Sequence, residues 1–189
     1  MSKLRIQRDV SGISGLCVIE PHLFFDNRGY LTEAYNRKEF YDEGLTQVFV
    51  QDNEAYSRKG VLRGMHVNVK RPQGKLIRVL NGHIYDVVVD LREGSPTYKK
   101  WFGIELSGNN KKQLYIPEGM GHGYLALTDK DVLFKVTTHY IPNDEVGFAW
   151  DSKELGVQWP IADFEIIQNK SDMKSKDFSE IDYFRRFQK

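Results

Sequence analysis

The chain holds one cysteine in 189 residues, no long apolar run, and almost no excess charge of either sign. A single cysteine excludes an internal disulfide framework and fits a reducing compartment. Cys17 lies in the apolar run Leu16-Cys17-Val18-Ile19 with no basic neighbour, so it reads as a buried, inert thiol rather than a nucleophile. The Gly-x-Ser-x-Gly turn of serine hydrolases is missing as well. No apolar stretch approaches the ~20 residues of a membrane span. Met1-Ser2-Lys3-Leu4-Arg5 is not followed by an apolar core, so no signal peptide is expected and the expected location is cytoplasmic. The net charge of +1 argues against a general nucleic-acid binder, although local basic clusters can still hold a small anion.

Apolar residues make up 40%, which is globular rather than disordered, and the length suits one domain with a sizeable core. Most segments are short, rich in β-branched and aromatic residues, and bounded by turn formers. Gly82 to Leu91, Lys100 to Leu106, Lys112 to Ile116 and Val132 to Tyr140 read as strands. Turn signals recur roughly every 8–12 residues, among them Asn81-Gly82, Ser107-Gly108-Asn109-Asn110 and Pro142-Asn143-Asp144. That rhythm predicts an antiparallel all-β sandwich or barrel. One helix is expected over Arg37 to Glu43, with Asn36 as N-cap, and another near Phe178 to Phe187. The polar stretch Gln168 to Asp177 is expected to pack loosely or to swap onto a partner subunit.

Two basic segments carry the chemistry. Val61 to His66 reads V-L-R-G-M-H, and Gln73 to Arg78 reads Q-G-K-L-I-R. In a regular strand Arg63 and His66 face opposite ways. They can serve one cavity only if the strand twists, bulges or ends between them, which Gly64 permits. Inward-facing polar groups are costly unless a charged occupant sits between them, and the simplest occupant is an anionic ligand with a reactive carbon beside it.

The chain resembles the dTDP-4-dehydrorhamnose 3,5-epimerases, cupin-like jelly-roll enzymes acting on nucleotide-linked 4-keto-6-deoxy sugars. The resemblance runs from about Leu16 to Pro160. It rests on Asp26-Asn27-Arg28-Gly29-Tyr30, Phe49 to Asn53, Val61 to His66, Gln73 to Arg78, Asp86 to Arg92, Ser95 to Tyr98, Ile116 to Tyr124 and Gly156 to Pro160. It implies a single jelly-roll β-sandwich over 1–189 with minor helix and a C-terminal extension from about residue 161. It also implies a homodimer, and an epimerase that feeds an unusual deoxysugar or heptose into a surface polysaccharide. The implied reaction needs a base, a cation for the enolate oxygen and a proton source on the other face, but no cofactor. By resemblance His66 is the base and Asp172 the aspartate that holds its tautomer. Lys75 and Arg63 are the cations beside the sugar. Gln51, Asn53 and His122 line the pocket, and Tyr140 stacks on the base or sugar. Arg28 and Glu33 reach the nucleotide across a dimer interface.

One departure touches the chemistry. The family's second proton donor is a tyrosine, and the matching position here is Phe134, which has no hydroxyl. Three outcomes follow: epimerisation at one centre, most plausibly C3; slow epimerisation at both; or sugar-nucleotide binding without turnover. His139 is a candidate substitute acid, although strict alternation puts it on the opposite face from Phe134. A 3,4-ketoisomerase on the same fold is a further alternative. Metal dependence is not expected. The would-be second histidine of a His-x-His pair is Asn68, which leaves His66 and His122 as two ligands, too few for a typical catalytic site.

Overall fold

Residues 4–161 and 164–181 are described in the computed structural model. Two antiparallel sheets stack face to face. The six-stranded sheet runs β1 (Leu4–Gln7), β2 (Cys17–Pro21), β10 (Gln113–Ile116), β7 (Lys75–Asn81), β12 (Lys130–Val136), β5 (Gln51–Ser57). The five-stranded sheet runs β13 (Glu145–Gly147), β6 (Leu62–Asn68), β11 (Met120–Ala126), β8 (His83–Asp90), β9 (Trp101–Ser107). β3 (Phe24–Asp26) and β4 (Gly29–Leu31) form a separate hairpin. This is the expected jelly-roll β-sandwich.

Strand alternation sorts the side chains into three apolar layers. Between the sheets, Ile77, Val79, Ile84, Val88, Leu114 and Val132 form the central core. On the outer side of the five-stranded sheet, Met65, Val67, Val87 and Val89 pack under Phe148, Leu155 and Phe178. On the outer side of the six-stranded sheet, Cys17, Ile19, Leu76 and Tyr115 pack under Phe40 and Leu45. Several strands are therefore buried on both faces. This explains the unbroken apolar run Val87-Val88-Val89 within β8.

The helix α1 spans Arg37–Asp42, one residue shorter than expected, and the Asn36 side chain accepts from the Lys38 and Glu39 backbone N–H groups as an N-cap. Three expectations differ from the structure. Only a 3-10 turn, Phe178–Glu180, occupies the start of the expected second helix, and residues 182–187 lie outside the described ones. β12 stops at Val136, because Thr137 and Thr138 turn their groups to the 72–74 loop and to Glu118. The polar stretch Gln168 to Asp177 is docked rather than loose. Just before it, Ile167 bridges Val61, accepting from the Leu62 N–H and donating to the Gly60 carbonyl, each at 2.9 Å.

Candidate active site

A cavity of about 480 Å³ opens between the two sheets. Its six-stranded wall presents every second residue of three neighbouring strands: Gln51, Asn53 and Ala55 on β5, Lys75 and Ile77 on β7, and Val132 and Phe134 on β12. The opposite wall presents Arg63, His66 and Asn68 of β6, His122 and Tyr124 of β11, and Glu145 of β13. Asn169 and Asp172 close it from the C-terminal segment.

Arg63 and His66 share this cavity because β6 carries one extra residue. His122 pairs with His66 and Tyr124 pairs with Arg63, so a two-residue step on β11 matches a three-residue step on β6. Met65 and Val67 meanwhile point outward into the layer under Phe148. Gly64 takes φ +106° at the bulge, and a Cβ there would stand 2.7 Å from the His122 carbonyl oxygen. Of the twist, bulge or strand end that the spacing left open, the structure has the bulge, and only glycine fits it.

His66 Nε2 lies 2.8 Å from Asp172 Oδ1. The Asp172 side chain is almost fully buried, and its other oxygen accepts from the Gly64 N–H at 3.3 Å. Burial pushes the Asp172 pKa up, but the hydrogen bond and charge of His66 and the Gly64 N–H outweigh it, and the carboxyl stays below its ordinary range. An ionised Asp172 accepts Nε2–H, which fixes the tautomer and leaves the Nδ1 lone pair to take a proton. Glu145 Oε1 stands 3.5 Å from Nδ1, placed to steady the imidazolium that results.

Lys75 faces His66 from the other sheet and makes no hydrogen bond or ion pair with another described residue. Burial pushes its pKa down, and the carboxylates of Glu145 and Asp86 pull it back. The unpaired ammonium is suited to a developing enolate oxygen. His122 has its own carboxylate: Nε2 lies 3.1 Å from both oxygens of the fully buried Asp86. This pair follows from β8–β11 register, which sets Tyr124 beside Asp86 and His122 one pleat along. Asp90 serves elsewhere, gripped by Arg92, Ser95 and Thr97.

Gln51 Nε2 donates to Asn53 Oδ1 at 2.8 Å, and Gln51 Oε1 accepts from the Tyr140 N–H at 3.1 Å, so Tyr140 is held at the exposed mouth. Arg63 donates from Nε to Ser57 Oγ at 3.0 Å. Three expected residues are not among those lining the cavity. His139 is exposed beyond the end of β12, past the last residue that alternates with Phe134. Arg28 is exposed on the β3–β4 turn and paired with Asp26, and Glu33 follows β4. Sequence reading missed Glu145, Tyr124, Gln73 and Asn169. Glu145 opens the three-residue edge strand β13 and Asn169 lies in an irregular segment, both too short for a periodicity, while Gln73 and Tyr124 stood only as ends of the matching motifs. Among the described residues no three His, Cys, Asp or Glu side chains converge as a metal would require.

The family model for dTDP-4-dehydrorhamnose 3,5-epimerase matches residues 11–180. The dTDP-4-dehydrorhamnose 3,5-epimerase of Methanothermobacter thermautotrophicus is 45% identical over 80% of this chain and 82% of its own length. That of Pseudomonas aeruginosa is 40% identical over 91% and 96%. The solved dTDP-6-deoxy-D-glucose-3,5-epimerase of Legionella pneumophila, in complex with dTDP-4-keto-L-rhamnose, superposes with a TM-score of 0.89 at 38% identity and 95% coverage of both chains. A 3'-monoepimerase of Streptomyces bikiniensis, in complex with dTDP-quinovose, gives 0.82 at 28% identity, covering 88% and 85%. With a family model spanning nearly the whole described chain and relatives this similar along most of their length, the chain belongs to the dTDP-4-dehydrorhamnose 3,5-epimerase family.

Proposed function

We propose that the protein epimerises a nucleotide-diphospho-4-keto sugar by removing a proton from a carbon beside the ketone, and that it inverts C3 only. The observation that carries this reading is His66, oriented by Asp172, facing the unpaired Lys75 across one cavity. Nδ1 of His66 takes the proton, the electron pair moves onto the carbonyl oxygen, and Lys75 stabilises the enolate. Phe134 supports the narrowed outcome: its phenyl ring occupies the cavity wall between Asn53 and Ile77 and offers no proton there.

Arg28 and Glu33 are proposed to reach the nucleotide of a second copy. The β3–β4 hairpin that carries or precedes them exposes Phe25 and Leu31, an apolar surface suited to a homodimer. Among the described residues no helix is long and apolar enough to cross a membrane, and the proposed setting is the cytoplasm.

The test is deuterium uptake from D2O into dTDP- and GDP-linked 4-keto-6-deoxyhexoses, read by NMR and mass. The wild type should incorporate one deuterium, and His66→Asn should lower the rate by about 10²–10⁴-fold. Phe134→Tyr should add or speed exchange at C5. Two deuteriums from the wild type would defeat the restriction to C3, and unchanged uptake by His66→Asn would remove that residue as base.

A further inference from the structure

Inverting a carbon next to a carbonyl takes two proton-handling groups on opposite faces, one to remove and one to return. His66 provides the first. At the second face Phe134 has no proton to give. Tyr124 starts on β11, in the same sheet as His66, but its side chain crosses the gap between the sheets. Its hydroxyl lies 3.4 Å from Ser57 Oγ on β5, in the opposite wall. The phenol group therefore ends across the cavity from the sheet that carries the imidazole, and Tyr124 lines that cavity.

The surroundings of this phenol are unusual in two ways. Ser57 Oγ already accepts from Arg63 Nε at 3.0 Å, so Ser57 can turn its own proton to the Tyr124 oxygen and leave the phenol proton free to face the cavity. Lys130 is fully buried, its Nζ has no hydrogen-bond partner among the described residues, and it sits 3.9 Å from the Tyr124 ring centroid. The Arg63 guanidinium favours the anion a phenol becomes when its proton leaves. Burial, the largest influence on the hydroxyl, raises its pKa, so the phenol holds its proton until an enolate is there to take it.

We propose that Tyr124 is the acid that returns the proton on the second face; this rests on the epimerase reading above. His66 breaks the C–H bond and becomes imidazolium while the pair moves to the carbonyl oxygen. The enolate re-forms the ketone, and its carbon takes the proton of the Tyr124 hydroxyl, leaving a phenolate. Loss of a proton from His66 to water and gain of one by Tyr124 reset the site, with no net change in protons. Tyr140, the other phenol in the lining, is held at the mouth with most of its surface exposed.

The two steps separate by experiment. The probe is whichever of dTDP- and GDP-linked 4-keto-6-deoxyhexose the wild type exchanges faster in D2O. Tyr124→Phe should keep deuterium uptake within about threefold of the wild type, because His66 still removes the proton and returns a deuteron to the same face. Inversion should fall by about 10²-fold or more, so labelled substrate of unchanged configuration accumulates. Tyr140→Phe should lower exchange and inversion together, if at all. Unchanged inversion by Tyr124→Phe would overturn the proposal. So would a parallel fall of exchange and inversion, which is what a packing role gives, or appearance of the split in Tyr140→Phe instead. No exchange by the wild type on either probe would bring down the epimerase reading together with this one.

Discussion

At the scale of single residues, the site works through pairings that fix which nitrogen or oxygen is free. Asp172 takes the proton-bearing Nε2 of His66, and only for that reason is Nδ1 left free to serve as the proposed base. Asp172→Asn replaces an acceptor with an amide that can donate to Nε2, which turns the imidazole to the tautomer with its proton on Nδ1. The expected loss in turnover approaches that of removing the base, about 10²–10⁴-fold, with little change in the substrate concentration needed for half-saturation. Steady-state kinetics on the exchanging probe checks it, and a loss confined to KM would show that Asp172 only binds. His122 and Asp86 repeat the same pairing on the neighbouring strand. Sequence spacing alone puts Asp86 and Asp90 about 13 Å apart along one face of a strand, too far to share a proton. The structure gives each a different partner, because only pairing of β8 with β11 decides who meets whom.

At the scale of elements, the bulge in β6 decides whether a site exists. Strict alternation would aim Arg63 and Met65 the same way and His66 the other. The extra residue returns Arg63 and His66 to one side while Met65 and Val67 reach the outer layer. Gly64→Ala forces a Cβ against the backbone of His122 and Gly123, at 2.7 and 2.8 Å, from a φ that L residues rarely adopt. The expected cost is about 2–4 kcal/mol, with Tm lower by roughly 5–15 °C and exchange activity lost along with the register. Thermal unfolding followed by circular dichroism measures it. An alanine variant as stable and active as the wild type would mean that β6 can carry the site without a glycine bulge. The C-terminal segment is an element of the same kind. It reads as a polar tail, yet it docks on the start of β6 through Ile167 and delivers Asp172 to His66.

At the scale of the whole molecule, Lys130 ties stability to pH. Burial lowers its pKa from 10.5 to about 7, helped by Arg63 and opposed by Asp86 and Asp131. The unfolded chain keeps a proton on this amine up to about pH 10.5, while the fold releases it above about 7. Between those values the unfolded state binds more protons, so raising the pH favours the fold; lowering it toward 7 removes that contribution. Lys130→Met is expected to be more stable than the wild type at pH 7, with the advantage shrinking steadily toward pH 10. Urea unfolding at a series of pH values tests this, and a pH-independent difference would show that Lys130 is not titrating in that window.

The sequence determined the class of fold through its short strands and frequent turn signals. It also determined the capped helix after Asn36 and the need for a break in alternation at Gly64, since these depend on residues close together in the chain. Resemblance to a family added His66, Lys75 and Asp172 as a group. Tertiary structure alone decided that Glu145 stands beside the free nitrogen of His66, that the Tyr124 hydroxyl reaches the opposite wall, and that Lys130, between Asp129 and Asp131, is buried against an aromatic ring. Those facts come from pairing between strands far apart in sequence and from the bulge that shifts their register, and no local pattern of polar and apolar residues encodes either.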